Sequence, residues 1–396
     1  MTFSRRLVGK LLLACTVLFL LASIASAQKR TPNKPYLVYV GTYTNKTSSK
    51  GIYAYLFDPG TGKLSSLGVA AESEDPSFLA VHPSGKYLYA VNEMDHFGAQ
   101  KSGAVSAFAI DSKTGKLAPL NQAATQGAGP CHISLDKTGK FVLVANYDGG
   151  SIAAFPIRED GSIGPASAFV QHSGSSANKE RQERPHAHWI GTSPDNRFVL
   201  AADLGLDEIL VYRFNAAKGV LTPNTPPFAK LSPGSGPRHL AFHPNNKFAY
   251  VLTEMENSVT AFAYKPSNAT LSPLQTLSTL SVLRKDYSGP KEAAEIAVHP
   301  SGKFLYASNR ASIDTISAFS IDPAKGTLHL KNEYPTMGKT PRNFAIDPTG
   351  KFLLAANQES NNIVTFRIDA ITGALTPTGD IVEAPAPVCI TFVAAK

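Results

Sequence analysis

The segment Arg184-Pro185-His186-Ala187-His188-Trp189 places two histidines one residue apart. On an extended strand alternate side chains point the same way, so His186 and His188 share a face. That spacing suits metal ligation, proton transfer with substrate contact, or packing. No compact set of further His, Asp or Glu lies nearby in the sequence, whereas zinc takes three or four protein ligands. Neither a metal nor a cofactor is expected. Short motifs elsewhere supply arginines: Gly236-Pro237-Arg238-His239, Asn309-Arg310 and Pro341-Arg342-Asn343. A guanidinium stays charged and offers a planar donor fork to a carboxylate, a phosphate or a developing oxyanion. Glu254 and Glu295 add carboxylates. These parts suffice to activate a water and stabilise an oxyanion, but they are scattered along the chain and need a fold to bring them together.

A repeat supplies one. "FLAVHPSGKYLYAVNE" (78–93), "HISLDKTGKFVLVANY" (132–147), "WIGTSPDNRFVLAADL" (189–204), "HLAFHPNNKFAYVLTE" (239–254), "EIAVHPSGKFLYASNR" (295–310) and "NFAIDPTGKFLLAANQ" (343–358) each read as apolar run, turn, apolar run. This is a β-hairpin signal. The Lys or Arg of the turn falls at 86, 140, 197, 247, 303 and 351. A second hairpin follows each first, as in "GAVSAFAIDSKTGKL" (103–117) and "NSVTAFAYKPSNATL" (257–271). Four short strands in each unit of roughly 50 residues predict the blades of a β-propeller. The opening "YLVYVGTYT" (36–44) lacks a first strand, and the closing "APVCITFVA" (386–394) supplies one. The expected fold is all-β: a seven-bladed propeller of four-stranded antiparallel blades, closed by the terminal strands in one blade.

Aligned on this repeat, the start of the first strand and the end of the second lie on one face. The first-strand positions are Ser77, Cys131, His188, Arg238, Ala294, Arg342 and Val388, followed by Phe78, His132, Trp189, His239, Glu295, Asn343 and Cys389. The second strand ends on Thr42, Asn92, Asn146, Asp203, Thr253, Asn309 and Asn357, then Tyr43, Glu93, Tyr147, Leu204, Glu254, Arg310 and Gln358. Strand interiors are uniformly apolar, but these end positions differ from blade to blade. Convergent polar groups at a channel mouth mark a ligand site. The asparagines of the second-strand column are expected to cap their turns through nearby backbone. His82, His243 and His299 precede the turn prolines at the opposite face and are expected to be structural. The long polar loop 172–183 is expected to be solvated, with a lid over the mouth as the alternative.

Residues 1–27 read as a signal peptide. Arg5, Arg6 and Lys10 precede the apolar run Leu11–Ile24, and Ala25-Ser26-Ala27 offers a small-x-small cleavage site. A short linker (28–34) and a single propeller domain (35–396) follow, and no other apolar run is long enough for a membrane helix. The chain is therefore expected to be exported, periplasmic or secreted, without a membrane span after cleavage. Losing the leader lowers the formal charge from +8 to +5, spread without basic clusters. That excludes a nucleic-acid partner. Cys131 and Cys389 remain, read as buried free thiols, with one disulfide as the alternative.

"RQERPHAHW", "GPRHLAFHP", "TEMENSV", "YASNR" and "GKTPRNFAIDPTGKFLLAANQ" together resemble the seven-bladed lactonase family, also called cycloisomerase 2. The family includes bacterial propeller-type 6-phosphogluconolactonases and the fungal carboxy-muconate lactonizing enzyme. The resemblance spans residues 35–394 and implies hydrolysis of a small, sugar-derived or anionic lactone. It implies catalytic roles for Arg238, Glu254, Arg310 and one histidine of the pair, His186 or His188, of which His188 is the expected one. His132, Tyr147, His186, Glu295, Arg342 and Gln358 are the expected substrate contacts. Two other readings use the same mouth: a non-catalytic exported propeller binding a small anion or a protein, and a muconate-type lactonizing cycloisomerase.

Overall fold

The computed structural model describes residues 34–284 and 286–393. The signal peptide and most of the linker expected at the N-terminus lie outside the described residues. Seven four-stranded antiparallel sheets are present. Blade 1 takes its inner strand, Pro387–Val393, from the C-terminal end and its other strands from Tyr36–Thr42, Gly51–Phe57 and Leu64–Glu72. Blades 2 to 7 follow in chain order, with inner strands Leu79–Val81, Pro130–Leu135, Ala187–Thr192, Pro237–Phe242, Ala293–Val298 and Pro341–Ile346. Each inner strand touches the next, and Pro387–Val393 touches both Pro341–Ile346 and Leu79–Val81, so the ring closes. Closure removes the free sheet edges that an open stack of blades would expose. The seven-bladed propeller read from the repeat is the fold observed.

The packing explains why the second strands are continuously apolar. In Phe248–Thr253 every residue is buried. Ala249 and Val251 face blade 4, while Phe248, Tyr250 and Leu252 face blade 6. Strand alternation thus serves two neighbours, and the core is divided into seven layers, one between each pair of blades. A fully buried Val, Leu or Phe contributes about 1.5–3 kcal/mol relative to exposure. Large tyrosines in these layers satisfy their hydroxyls across the interface: Tyr89 donates to Gly161 O (2.9 Å), Tyr250 to Gly326 O (3.1 Å) and Tyr306 to Gly373 O (2.8 Å).

At the far face the hairpin turns also join neighbouring blades. The backbone amides of Ser84, Asn245 and Ser301 donate to Nδ1 of His82, His243 and His299. Each ring therefore carries its proton on Nε2 and donates it to a carbonyl of the next blade: Gly139 (2.9 Å), Gly302 (2.8 Å) and Gly350 (2.7 Å). The acceptor residue has left-handed backbone, at φ 70°, 71° and 73° respectively, which favours glycine. Where the repeat has asparagine instead, at Asn196 and Asn246, φ is 61° and 60°, and asparagine tolerates that region. The asparagines ending the second strands behave differently from expectation. Asn92, Asn146 and Asn357 do donate to backbone, but to Glu74 O, Thr125 O and Thr336 O at the end of an outer strand or the loop beyond it, not to their own turns.

Candidate active site

The mouth is built by an irregularity that recurs around the ring. Pairing between the first and second strands skips a residue between Pro130 and His132, Ala187 and Trp189, Pro237 and His239, and Pro341 and Asn343. Blade 6 skips between Ala293 and Ile296, and blade 1 has a register shift at Gly41/Thr42 opposite Val388. The residues released from the ladder are Cys131, His188, Arg238, Arg342, Ala294 with Glu295, and Val388. A β-bulge re-aims its side chain and ends regular pairing. Here the bulges of six blades turn these slots toward the channel, so His188, Arg238 and Arg342, far apart in sequence, face one another.

Glu254 is the hub of this cluster. Its Oε2 lies 2.9 Å from Arg238 Nε, 3.1 Å from Arg310 Nη2 and 3.8 Å from His188 Nε2, and its Oε1 lies 2.7 Å from Arg181 Nη2. Burial alone would push the carboxyl up, but Arg310, Arg238 and Arg181 outweigh it and hold the group at about 2. Glu254 is thus a permanently ionised and poorly basic carboxylate. Arg238 Nη1 reaches Ala294 O and Nε2 of His239 (3.2 Å). Because His239 Nε2 accepts that bond, its Nδ1–H donates to Glu295 Oε1 (3.0 Å). Asn343 donates to the other Glu295 oxygen. Burial raises Glu295 to about 7 despite the Ile296 amide and Arg238.

Three imidazoles line the channel here. Ring centroids of His132 and His239 are 5.2 Å apart, and those of His188 and His239 are 5.5 Å apart. Burial, aided by nearby arginines or by His239, holds all three well below the ordinary histidine value. They are neutral at pH 7, and the same surroundings make them weaker bases than a free imidazole. His132 sits deeper, its ring against Phe78 and Trp189 and its Nδ1 accepting from Ile190 N. His186 lies above, donating from Nδ1 to Tyr147 O (3.1 Å) and stacking on the Tyr147 ring. Tyr147 OH accepts from Arg181 (3.2 Å). Across the mouth Arg342 donates to Tyr43 OH (2.8 Å), which donates to Glu93.

His188, Arg238, Glu254 and Arg310 therefore come together, with His132, Tyr147, His186, Glu295 and Arg342 around them. Gln358 does not join. It is half-buried in the right column, but among the described residues no side-chain hydrogen bond links it to the cluster. Cys131 and Cys389 are free and buried, 131 beside His188.

The loop 172–183 is largely exposed, as expected of a solvated connection, but it is pinned at three points. His172 Nδ1 meets Asp203 Oδ2 at 2.6 Å, Ser176 donates to Asp207 Oδ2 (2.6 Å), and buried Gln182 donates to Leu204 O (2.8 Å). These bonds strap it across blade 4. Arg181, which the column alignment misses because the loop is outside the repeat, projects from it onto Glu254 and Tyr147. The motif RQER was the only trace of it in the sequence. A separate groove lies between Ser232, Thr276, Arg284 and Lys291, on blade 5 and the loops that flank it. It contains none of the clustered residues.

Residues 37–392 match the family model described as "Lactonase, 7-bladed beta-propeller". The chain belongs to this lactonase family. It is 38% identical over 358 residues to the 6-phosphogluconolactonase of Bacillus subtilis, covering 90% of this chain and 98% of that protein. It is 39% identical over 340 residues to a 6-phosphogluconolactonase of Formosa agariphila, covering 85% and 94%. Among solved structures, the Pseudomonas aeruginosa periplasmic gluconolactonase PpgL superposes with a TM-score of 0.84 at 34% identity, covering 91% of this lactonase and 99% of that one. Among the described residues of the lactonase no helix is long and apolar enough to cross a membrane.

Proposed function

We propose that this lactonase hydrolyses a sugar-derived lactone carrying a negative charge, at the channel mouth, and that it does so after export. The observation that carries the site is the convergence of Arg181, Arg238 and Arg310 on the single carboxylate of Glu254, beside neutral His188. Four guanidiniums, those of Arg181, Arg238, Arg310 and Arg342, share the mouth with the carboxyl groups of Glu254, Glu292 and Glu93. Arg310 Nε is buried without an acceptor among the described residues, a donor that a ligand oxygen would satisfy. Export is supported by the leader pattern in residues 1–27 and by the Pseudomonas relative, a periplasmic gluconolactonase.

In this reading a water adds to the lactone carbonyl carbon while His188 takes its proton. Glu254 is too weak a base for that step, but its charge, 3.8 Å from His188 Nε2, stabilises the imidazolium as it forms. Arg238 and Arg310 stabilise the carbonyl oxygen as it gains charge. The tetrahedral intermediate then collapses, the ring C–O bond breaks, and His188 returns the proton to the leaving oxygen. One water and one lactone become one hydroxy acid.

The test uses protein recovered from the exported fraction, with Gln28 expected at its N-terminus. It should open δ-gluconolactone or its 6-phosphate faster than spontaneous hydrolysis. Arg238→Lys, with an unchanged melting temperature, should lower kcat by about 10²–10³-fold, as loss of an oxyanion donor does. A wild-type protein that accelerates no member of a lactone panel would retire this reading.

A further inference from the structure

We propose that Arg181 selects lactones bearing a charged substituent, by exchanging its ion pair with Glu254 for one with that substituent. This rests on the lactonase reading above and names the residue that sets its substrate class.

The catalytic cluster is covered as it stands. Arg238, Glu254, Arg310, His188 and His239 are each buried, and above them lies the Arg181 guanidinium, with 40% of its side chain exposed. It bridges Glu254 Oε1 and Tyr147 OH. A lactone that contacts Glu254 Oε1 must first open that bridge. The main chain beneath is fixed: Asn178 Oδ1 accepts the amides of Glu180 and Arg181, Gln182 returns bonds to Asn178, and Ser176 and Gln182 tie the turn to blade 4. The moving part is therefore the long arginine stem, not the loop.

Displacing Arg181 leaves Glu254 ionised, because Arg238 and Arg310 both remain on Oε2. It frees Oε1 to accept a substrate hydroxyl. A neutral lactone offers Arg181 nothing to replace the carboxylate. A phosphate or carboxylate on the lactone offers a charge-assisted, bidentate partner at the rim, where Arg181 is already half in solvent. The ion pair therefore acts as a gate that an anionic substrate opens at little cost and a neutral one opens at full cost.

The experiment compares 6-phosphogluconolactone with δ-gluconolactone on wild type, Arg181→Gln and Arg181→Lys. Wild type should favour the phosphorylated lactone. Arg181→Gln should lower that preference in kcat/KM by about tenfold or more, the worth of one charged pair, mainly by raising KM for the phosphorylated substrate. Arg181→Lys should retain most of the preference. Equal effects on both lactones, or no preference in wild type, would overturn the proposal. Calorimetric binding of 6-phosphogluconate and gluconate runs in parallel. If wild type hydrolyses neither lactone the catalytic reading falls, while weaker binding of 6-phosphogluconate alone to Arg181→Gln still supports the selective role. Unchanged binding refutes it.

Discussion

The mouth separates charge from basicity residue by residue. Glu254 is ionised and unreactive because three arginines hold it, whereas the imidazoles are neutral because they are buried beside those arginines. This arrangement has a signature in stability. His132, His188 and His239 are depressed below the ordinary value of 6.5, so their contribution is complete above that pH and is lost as the pH falls. Glu254, depressed from 4.5 to about 2, adds a further loss between those values. Glu295 has the opposite sign: raised from 4.5 to about 7, it costs stability as the pH rises through that range. Three histidines outweigh one glutamate, so the melting temperature should climb from pH 5 to pH 7. His132→Gln, which keeps an acceptor for Ile190 N but does not titrate, should flatten that climb. A slope identical to wild type would show that His132 is not held neutral by the fold.

Among the elements, the hairpin turns at the far face both reverse the chain and pack against the neighbouring blade. Gly302 has φ 71°, and a Cβ there would lie 2.8 Å from the His243 ring. Gly302→Val should therefore destabilise by about 2–4 kcal/mol, combining left-handed strain with a clash against the neighbouring blade. Asn246→Gly, at φ 60°, should change stability by less than about 1 kcal/mol. Thermal or denaturant unfolding of both variants checks the pair. The same repeat explains what the sequence revealed about the site. His188, Arg238, Glu254 and Arg310 were legible because a fixed period placed them in equivalent slots, whatever the details of each blade. Gln358 shared a column, but a column fixes only the height of a residue along its strand and not the contacts of a flexible side chain. Arg181 was invisible to the alignment because its loop has no counterpart in other blades. The asparagines were misread because their partners lie about twenty residues upstream, just past the outer strand of the preceding blade, rather than in the adjoining turn.

At the scale of the whole molecule, one strand decides whether the ring exists. Pro387–Val393 pairs with Tyr36–Thr42 from Leu37↔Val393 to Thr42↔Pro387 and packs between blades 2 and 7. Removing residues 387–396 should expose the edge of Tyr36–Thr42 and uncover two of the seven core layers. The shortened chain should lose its single cooperative melting transition and associate through the open edge, as light scattering and calorimetry would report. Retention of a sharp wild-type transition would mean that six blades and a partial seventh are self-sufficient. Since Arg238, Glu254 and Arg310 belong to blades 5 and 6, any activity of the shortened chain would also show how far their geometry depends on distant closure.

The bulges at the inner rim have an evolutionary consequence. A residue standing outside the ladder is excused from pairing and from the apolar layers, so its identity is nearly free of the demands of folding. Seven such positions, spread over six of the seven blades, form a keyboard on which new specificities can be composed while the opposite rim goes on holding the disc together.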